Sequence, residues 1–117
     1  KEEAQKNFPN NNILFIEPFY NDPDYIKLLS KKIGDKIKNL NYDHILFSYH
    51  GIPVSHLKIS DPTKKHCYKI NDCCSVKSDA HKTCYKHQVI VTTDLVAKNL
   101  SLNKEKFSAL ATLTQII

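Results

Sequence analysis

Four cysteines, Cys67, Cys73, Cys74 and Cys84, fall within 18 residues in the pattern C-x5-C-C-x9-C. Four soft ligands in one polar stretch suit an iron–sulfur cluster, a zinc ion, disulfides or free thiols. Disulfides need an oxidising compartment, and the charged, polar start Lys1 to Asn12 shows no secretory signal. Zinc sites usually use C-x2-C knuckles, and adjacent Cys73 and Cys74 make an awkward chelate for one tetrahedral ion. Iron–sulfur clusters take thiolates from varied spacings, and in a 2Fe–2S cluster neighbouring cysteines could serve different irons. His66, His81 and His87 flank the cysteines and keep zinc open. A second candidate is His50, which ends an apolar run. A neutral imidazole near pH 7 can ligate a metal or accept a proton.

Elements must position these groups. Ile13-Leu14-Phe15-Ile16 is an unbroken apolar run, as expected of a strand buried on both faces. Asp22 then offers an N-cap and Pro23 a first helical residue. Tyr25, Leu28, Leu29, Ile33, Ile37 and Leu40 follow at helical spacing. His44 to Tyr49 is a second strand, and Pro53 stops it. Strand, helix, strand over 13–53 predicts a βαβ unit, hence a parallel α/β sheet with flanking helices. In such sheets ligands sit beyond the carboxyl ends of the strands, where His50 lies. Residues 54–83 are polar and Lys-rich, and read as a loop insertion that reaches almost to Cys84. Residues 84–100 read as a helix with Tyr85, Val89, Thr92, Val96 and Leu100 on one face. The tail, 101–117, is ambiguous, with a strand conceivable over 108–117.

The chain has 117 residues, 41% hydrophobic and 25% charged, with a formal net charge of +5. That is one domain with a real core. No run of apolar residues is long enough to span a membrane. All 17 basic residues are Lys, and Lys, Asn and Ile make up a third of the chain, the bias of an AT-rich coding sequence. Without Arg, the usual reader of bases and phosphates, no nucleic-acid partner is expected. The lysines are spread along the chain as a solvated surface. Met is absent even from position 1, so a start upstream is expected.

Leu46-Phe47-Ser48-Tyr49-His50-Gly51-Ile52-Pro53 resembles the bacterial ferrochelatases, whose strand ends in S-[YF]-H-G-[IL]-P. Pro18-Phe19-Tyr20-Asn21-Asp22-Pro23-Asp24-Tyr25-Ile26 is similar to the family's segment one strand earlier. Ser60-Asp61-Pro62-Thr63 resembles its G-D-P-Y turn, with Ser for Gly. Thr92 to Val96 and Leu100 fit the helix that follows. The resemblance covers roughly 13–107; beyond Phe107 the chain departs from the family's F-Q-S-R segment.

The resemblance implies a Rossmann-like, chelatase-like fold of which this chain is part of one domain. It implies insertion of Fe2+ into a porphyrin, protoporphyrin IX or coproporphyrin, in haem biosynthesis, with release of two protons. The family's active-site histidine falls at His50, as iron ligand or proton acceptor, and Ser48, Tyr49 and Pro53 are implied near the porphyrin cleft. One bacterial group carries a 2Fe–2S cluster in an internal insertion, and His66-Cys67, Asp72-Cys73-Cys74 and Cys84-Tyr85 look like it. Cys67, Cys73, Cys74 and Cys84 would be its ligands, in a structural or iron- and redox-sensing role, since ferrous insertion involves no redox change. The family pairs its histidine with a carboxylate on a later segment, so this chain alone is expected to be inactive. A cytoplasmic location, peripheral to the inner membrane at most, is implied. The alternatives are a zinc-binding interaction module and another tetrapyrrole chelatase, for cobalt or nickel.

Overall fold

The computed structural model describes residues 2–111. Helix α1 (Glu2–Asn7) is followed by an extended segment and helix α2 (Pro23–Ile37). Strand β1 (Ile45–Tyr49), helix α3 (Val54–Ser60), a 3-10 turn (Asp79–Lys82) and helix α4 (Tyr85–Asn99) come next. A second 3-10 turn (Lys104–Lys106) leads into strand β2 (Phe107–Ala111).

The start of α2 follows the expected chemistry. Asp22 is extended, and its carboxylate accepts the Tyr25 N–H at 2.9 Å, while Pro23 takes the first turn. Ile26 and Ser30 are buried against α4, and the Ser30 hydroxyl donates to the Ile26 carbonyl and accepts from Asn99 Nδ2. Gly34 lets the helices close: a Cβ there would stand 3.1 Å from Leu100 Cδ2. On α4, Val89, Thr92 and Val96 are buried as the helical spacing predicts, joined by Thr93 and Ala97.

Strands β1 and β2 pair in parallel, from Ile45 with Phe107 to Tyr49 with Ala111. Phe47 and Phe107 meet edge to face at 6.1 Å on the side packed on α4. The parallel α/β expectation therefore holds, but its boundaries move. Ile13 to Ile16 forms no strand: Leu14 is 88% and Ile16 89% exposed. A strand needs a hydrogen-bonded neighbour, and β1 pairs with β2 among the described residues. The crossover thus runs from β1 through α3 and α4 to β2.

The expected loop 54–83 contains a helix. Leu57 is wholly buried and drives α3 against Cys67, Ala80 and Cys84, with Ile52, Tyr68 and Tyr85 around them. Burying a Leu side chain contributes about 1.5–3 kcal/mol. The tail strand begins at Phe107; residues 112–117 of the expected strand lie outside the described residues. Among the described residues, no helix is long and apolar enough to cross a membrane.

Candidate functional site: a strand-end histidine and a four-thiol loop

His50 follows β1 directly and its ring is exposed. Its backbone is held: the Tyr85 hydroxyl donates to the His50 carbonyl at 2.8 Å. Side chains alternate along a strand, so Leu46 and Ser48 face one side of the sheet and Phe47 and Tyr49 the other. Leu46 and Ser48 pair with Ser108 and Leu110, and this face is open. Pro53 is half-buried at the start of α3.

Tyr49 turns inward and its hydroxyl hydrogen-bonds Thr93 Oγ1 at 2.8 Å. Burial, opposed by the Thr93 bond, raises its pKa, so it remains a neutral phenol. It shares an aromatic cavity of about 260 Å3 with Phe19, Tyr20, Tyr25 and Tyr85. Thr92 Oγ1 closes the far wall by donating to the Tyr20 carbonyl at 2.8 Å.

The cysteine loop is organised by Asp61, which is buried. One carboxylate oxygen accepts from the N–H and hydroxyl of Thr63, at 2.8 and 2.7 Å. The other accepts from the N–H groups of His66 and Cys67, at 2.8 and 2.9 Å. Burial alone would favour the neutral acid, but these bonds, led by Thr63, hold the carboxyl well below the usual carboxylate range. In the sequence Asp61 stands out only as part of a turn motif. The visible signal was Asp-Pro-Thr, an Asx-type turn.

The loop carries left-handed backbone at Lys64, Tyr68 and Asp72, with φ of 57°, 57° and 50°. Such conformations cost free energy in residues with a Cβ and persist where surroundings over-determine them. Here they fold the chain back so that the cysteines converge.

All four cysteines are free thiols, with Cys67, Cys73 and Cys84 buried and Cys74 partly exposed. Cys67 makes a side-chain contact with Cys84, and Cys74 with Cys73. Burial first, then Cys84, Asp61 and Cys73, pushes the Cys67 thiol up to about 12. Burial and Cys73 push Cys74 up to about 12 as well, against the opposing Lys86 cation. Cys74 lines a cavity of about 490 Å3 with Tyr68, Asn71, Cys73, Lys86 and Ile90. Lys86 Nζ sits 5.0 Å from the Tyr68 ring centroid. Burial works against its charge, but Tyr68, Cys74 and Cys73 hold its pKa above the ordinary value.

The structure thus brings the four cysteines together as two contacting pairs. Among the described residues, no three His, Cys, Asp or Glu side chains form a group that could hold a metal ion as they stand. The flanking histidines turn elsewhere. His66 Nε2 and His81 Nε2 both contact the Cys73 carbonyl oxygen, at 2.6 and 3.0 Å. His81 stacks on His87, with centroids 3.7 Å apart and planes 10° apart. Burial and the neighbouring His81 lower the His87 pKa, against a hydrogen bond to the Cys74 backbone.

Comparison with known proteins agrees with the strand-end motif. The family model described as Ferrochelatase matches residues 1–110, beyond the expected segment at both ends. The chain is 39% identical over 107 residues to the ferrochelatase of Opitutus terrae, covering 92% of this chain and 31% of that protein. It is 39% identical over 94 residues to the ferrochelatase of Pseudomonas fluorescens (strain Pf0-1), covering 80% and 27%. The ferrochelatase of Stutzerimonas stutzeri is 37% identical over 94 residues, again covering 80% and 27%. The chain spans less than a third of the length of these relatives. No solved structure matches significantly. With a strand-end histidine on a parallel α/β sheet and a match along nearly its whole length, the chain belongs to the ferrochelatase family.

Proposed function

We propose that the whole protein inserts Fe2+ into a porphyrin, protoporphyrin IX or coproporphyrin, in the synthesis of haem. The observation that carries this reading is His50, whose ring is free at the carboxyl end of β1 while its carbonyl is tied to Tyr85. A fixed backbone with an exposed imidazole can meet a substrate without first releasing an internal partner. Metallation replaces two pyrrole N–H protons with Fe2+. A neutral His50 ring would accept one such proton or deliver the iron. Ser48 and Pro53 flank it and would border the porphyrin. Tyr49, with its aromatic neighbours, would support the same strand end from below.

The test is metal insertion by a chain of the relatives' full length, given ferrous, cobalt and nickel ions with each porphyrin. A preference for Fe2+ supports the reading. A preference for cobalt or nickel makes it another tetrapyrrole chelatase.

Cys67, Cys73, Cys74 and Cys84 would hold a 2Fe–2S cluster. The donor set fits: all four ligands are sulfur, Cys67 and Cys84 share one buried cluster, and the neighbouring Cys73 and Cys74 can serve different irons of a binuclear cluster. Such a cluster would supply a covalent cross-link and a one-electron couple within the loop. The raised pKa values of Cys67 and Cys74 mean that these two thiols must give up protons to become ligands. The zinc-module reading asks histidines for ligands, but His66 and His81 direct Nε2 at the Cys73 carbonyl. Anaerobic purification with iron, zinc and sulfide analysis decides this. Two irons and two sulfides per chain support the cluster; one zinc without sulfide overturns it.

A further inference from the structure

Adjacent residues in extended chain point in opposite directions, so Cys73 and Cys74 can serve one site only if the chain turns at them. It does. The Ser75 N–H donates to the Asp72 carbonyl at 2.9 Å, making Cys73 and Cys74 the two central residues of a β-turn. Asp72 is a favoured first residue for a type I turn. Neither Cys73 nor Cys74 has positive φ, which matches type I and excludes type II.

Types I and II differ by a flip of the central peptide. The carbonyl of that peptide is Cys73 O, and it is the atom both imidazoles hold. A carbonyl only accepts, so Nε2 of His66 and Nε2 of His81 each carry the donated proton. The two rings come from different segments and meet edge to face at 5.3 Å. His87, on α4, stacks on His81 from behind. A flip would break two hydrogen bonds and demand positive φ at Cys74, moving its thiol away from Cys73.

We propose that His66 and His81, backed by His87, are positioning residues that lock the Cys73–Cys74 turn and so hold the tandem thiols as one chelating unit. This rests on reading the four thiols as a metal–thiolate site, not on which metal fills it. Groups that orient ligands in this way typically change metal affinity 10- to 100-fold when removed, by order of magnitude.

The test compares His81→Leu and the double variant H66L/H81L with His66→Gln and His81→Gln. Glutamine keeps an Nε2–H donor; leucine keeps bulk alone. Each chain is titrated with Co2+ without oxygen, following the thiolate-to-cobalt absorption, with helix content from circular dichroism as the folding control. His81→Leu, at a half-buried position, keeps the test open where the double variant loses helix. Chains purified with an intact cluster are also compared by reduction potential.

Leucine variants are expected to bind Co2+ about 10- to 100-fold more weakly with an altered band, and glutamine variants to match the parent. Leucine variants equal to the parent in affinity and band overturn the proposal, as do glutamine variants as defective as leucine. A parent that binds Co2+ through thiolates yet carries neither iron nor sulfide removes the 2Fe–2S reading and leaves the lock standing. A parent that binds no metal overturns both.

Discussion

The Tyr85 hydroxyl donates to the His50 carbonyl at 2.8 Å, and Tyr85 follows Cys84 directly in the chain. The first turn of α4 therefore joins the thiol loop to the strand end that presents the imidazole. Tyr85→Phe removes one partly exposed hydrogen bond, worth about 0.5–1.5 kcal/mol. In the full-length protein this substitution is expected to slow metal insertion by no more than about tenfold, with unchanged iron and sulfide content, since 1.4 kcal/mol is a factor of ten. Parallel measurement of rate and metal content checks it. Loss of metal instead would place Tyr85 in the thiol loop's own stability.

Asp61 makes the loop acid-sensitive. Its folded-state pKa is depressed, so its contribution is present above the unfolded carboxyl value, near 4, and is lost as pH falls towards the folded one. Hydrogen exchange at the Thr63, His66 and Cys67 amides is expected to be protected at neutral pH and to lose protection in acid. Asp61→Asn replaces one accepting oxygen by an NH2 group facing N–H donors, so it is expected to lose that protection already at neutral pH. Unchanged protection in Asp61→Asn would show that the charge is not what organises the loop.

The thiols predict an alkaline limit. Cys67 and Cys74, pushed up to about 12, stay protonated at neutral pH without a metal. Raised folded values mean that stability is intact below the unfolded thiol pKa, roughly 8.5, and is lost progressively as pH rises towards about 12. The metal-free chain is expected to react with iodoacetamide more slowly than a model thiol at pH 8, the more so at buried Cys67. A thermal-unfolding series should show the metal-free chain weakening above pH 9. Labelling as fast as a free thiol would contradict the burial that raises both groups.

Leu57 anchors α3 beneath the cysteines, wholly buried against Cys67, Ala80 and Cys84. Leu57→Ala is expected to cost about 2–5 kcal/mol. It should also speed labelling of Cys67 and Cys84, two cysteines in its own cluster. Thermal unfolding together with thiol labelling measures both effects.

Local signals in the sequence were legible where local chemistry decides the outcome. Asp22-Pro23 starts α2 because a carboxylate caps and proline fits the first turn whatever lies beyond. The β1 run ends at His50 because Pro53 halts it. Ile13 to Ile16 shows that an apolar run is a strand only where it joins a ladder, and the ladder of β1 among the described residues is with β2. Helix α3 was hidden in a polar, Lys-rich segment, where a few buried side chains set the structure. The Asp61 cradle and the imidazole stack left no periodic trace, since each depends on backbone groups brought together by left-handed turns at Lys64, Tyr68 and Asp72. The pairing of β1 with β2, 62 residues apart in register, is a property of the folded chain alone.

The central claim is that His50 performs the chemistry of metal insertion. The direct measurement is Fe2+ insertion into protoporphyrin by the full-length protein and its His50→Ala variant, followed by loss of porphyrin fluorescence. Removing a proton acceptor of this kind typically costs about 10²- to 10⁴-fold in rate. That loss is predicted here, with porphyrin affinity and cysteine-bound metal retained. A His50→Ala protein that inserts iron at the parent rate would contradict the account.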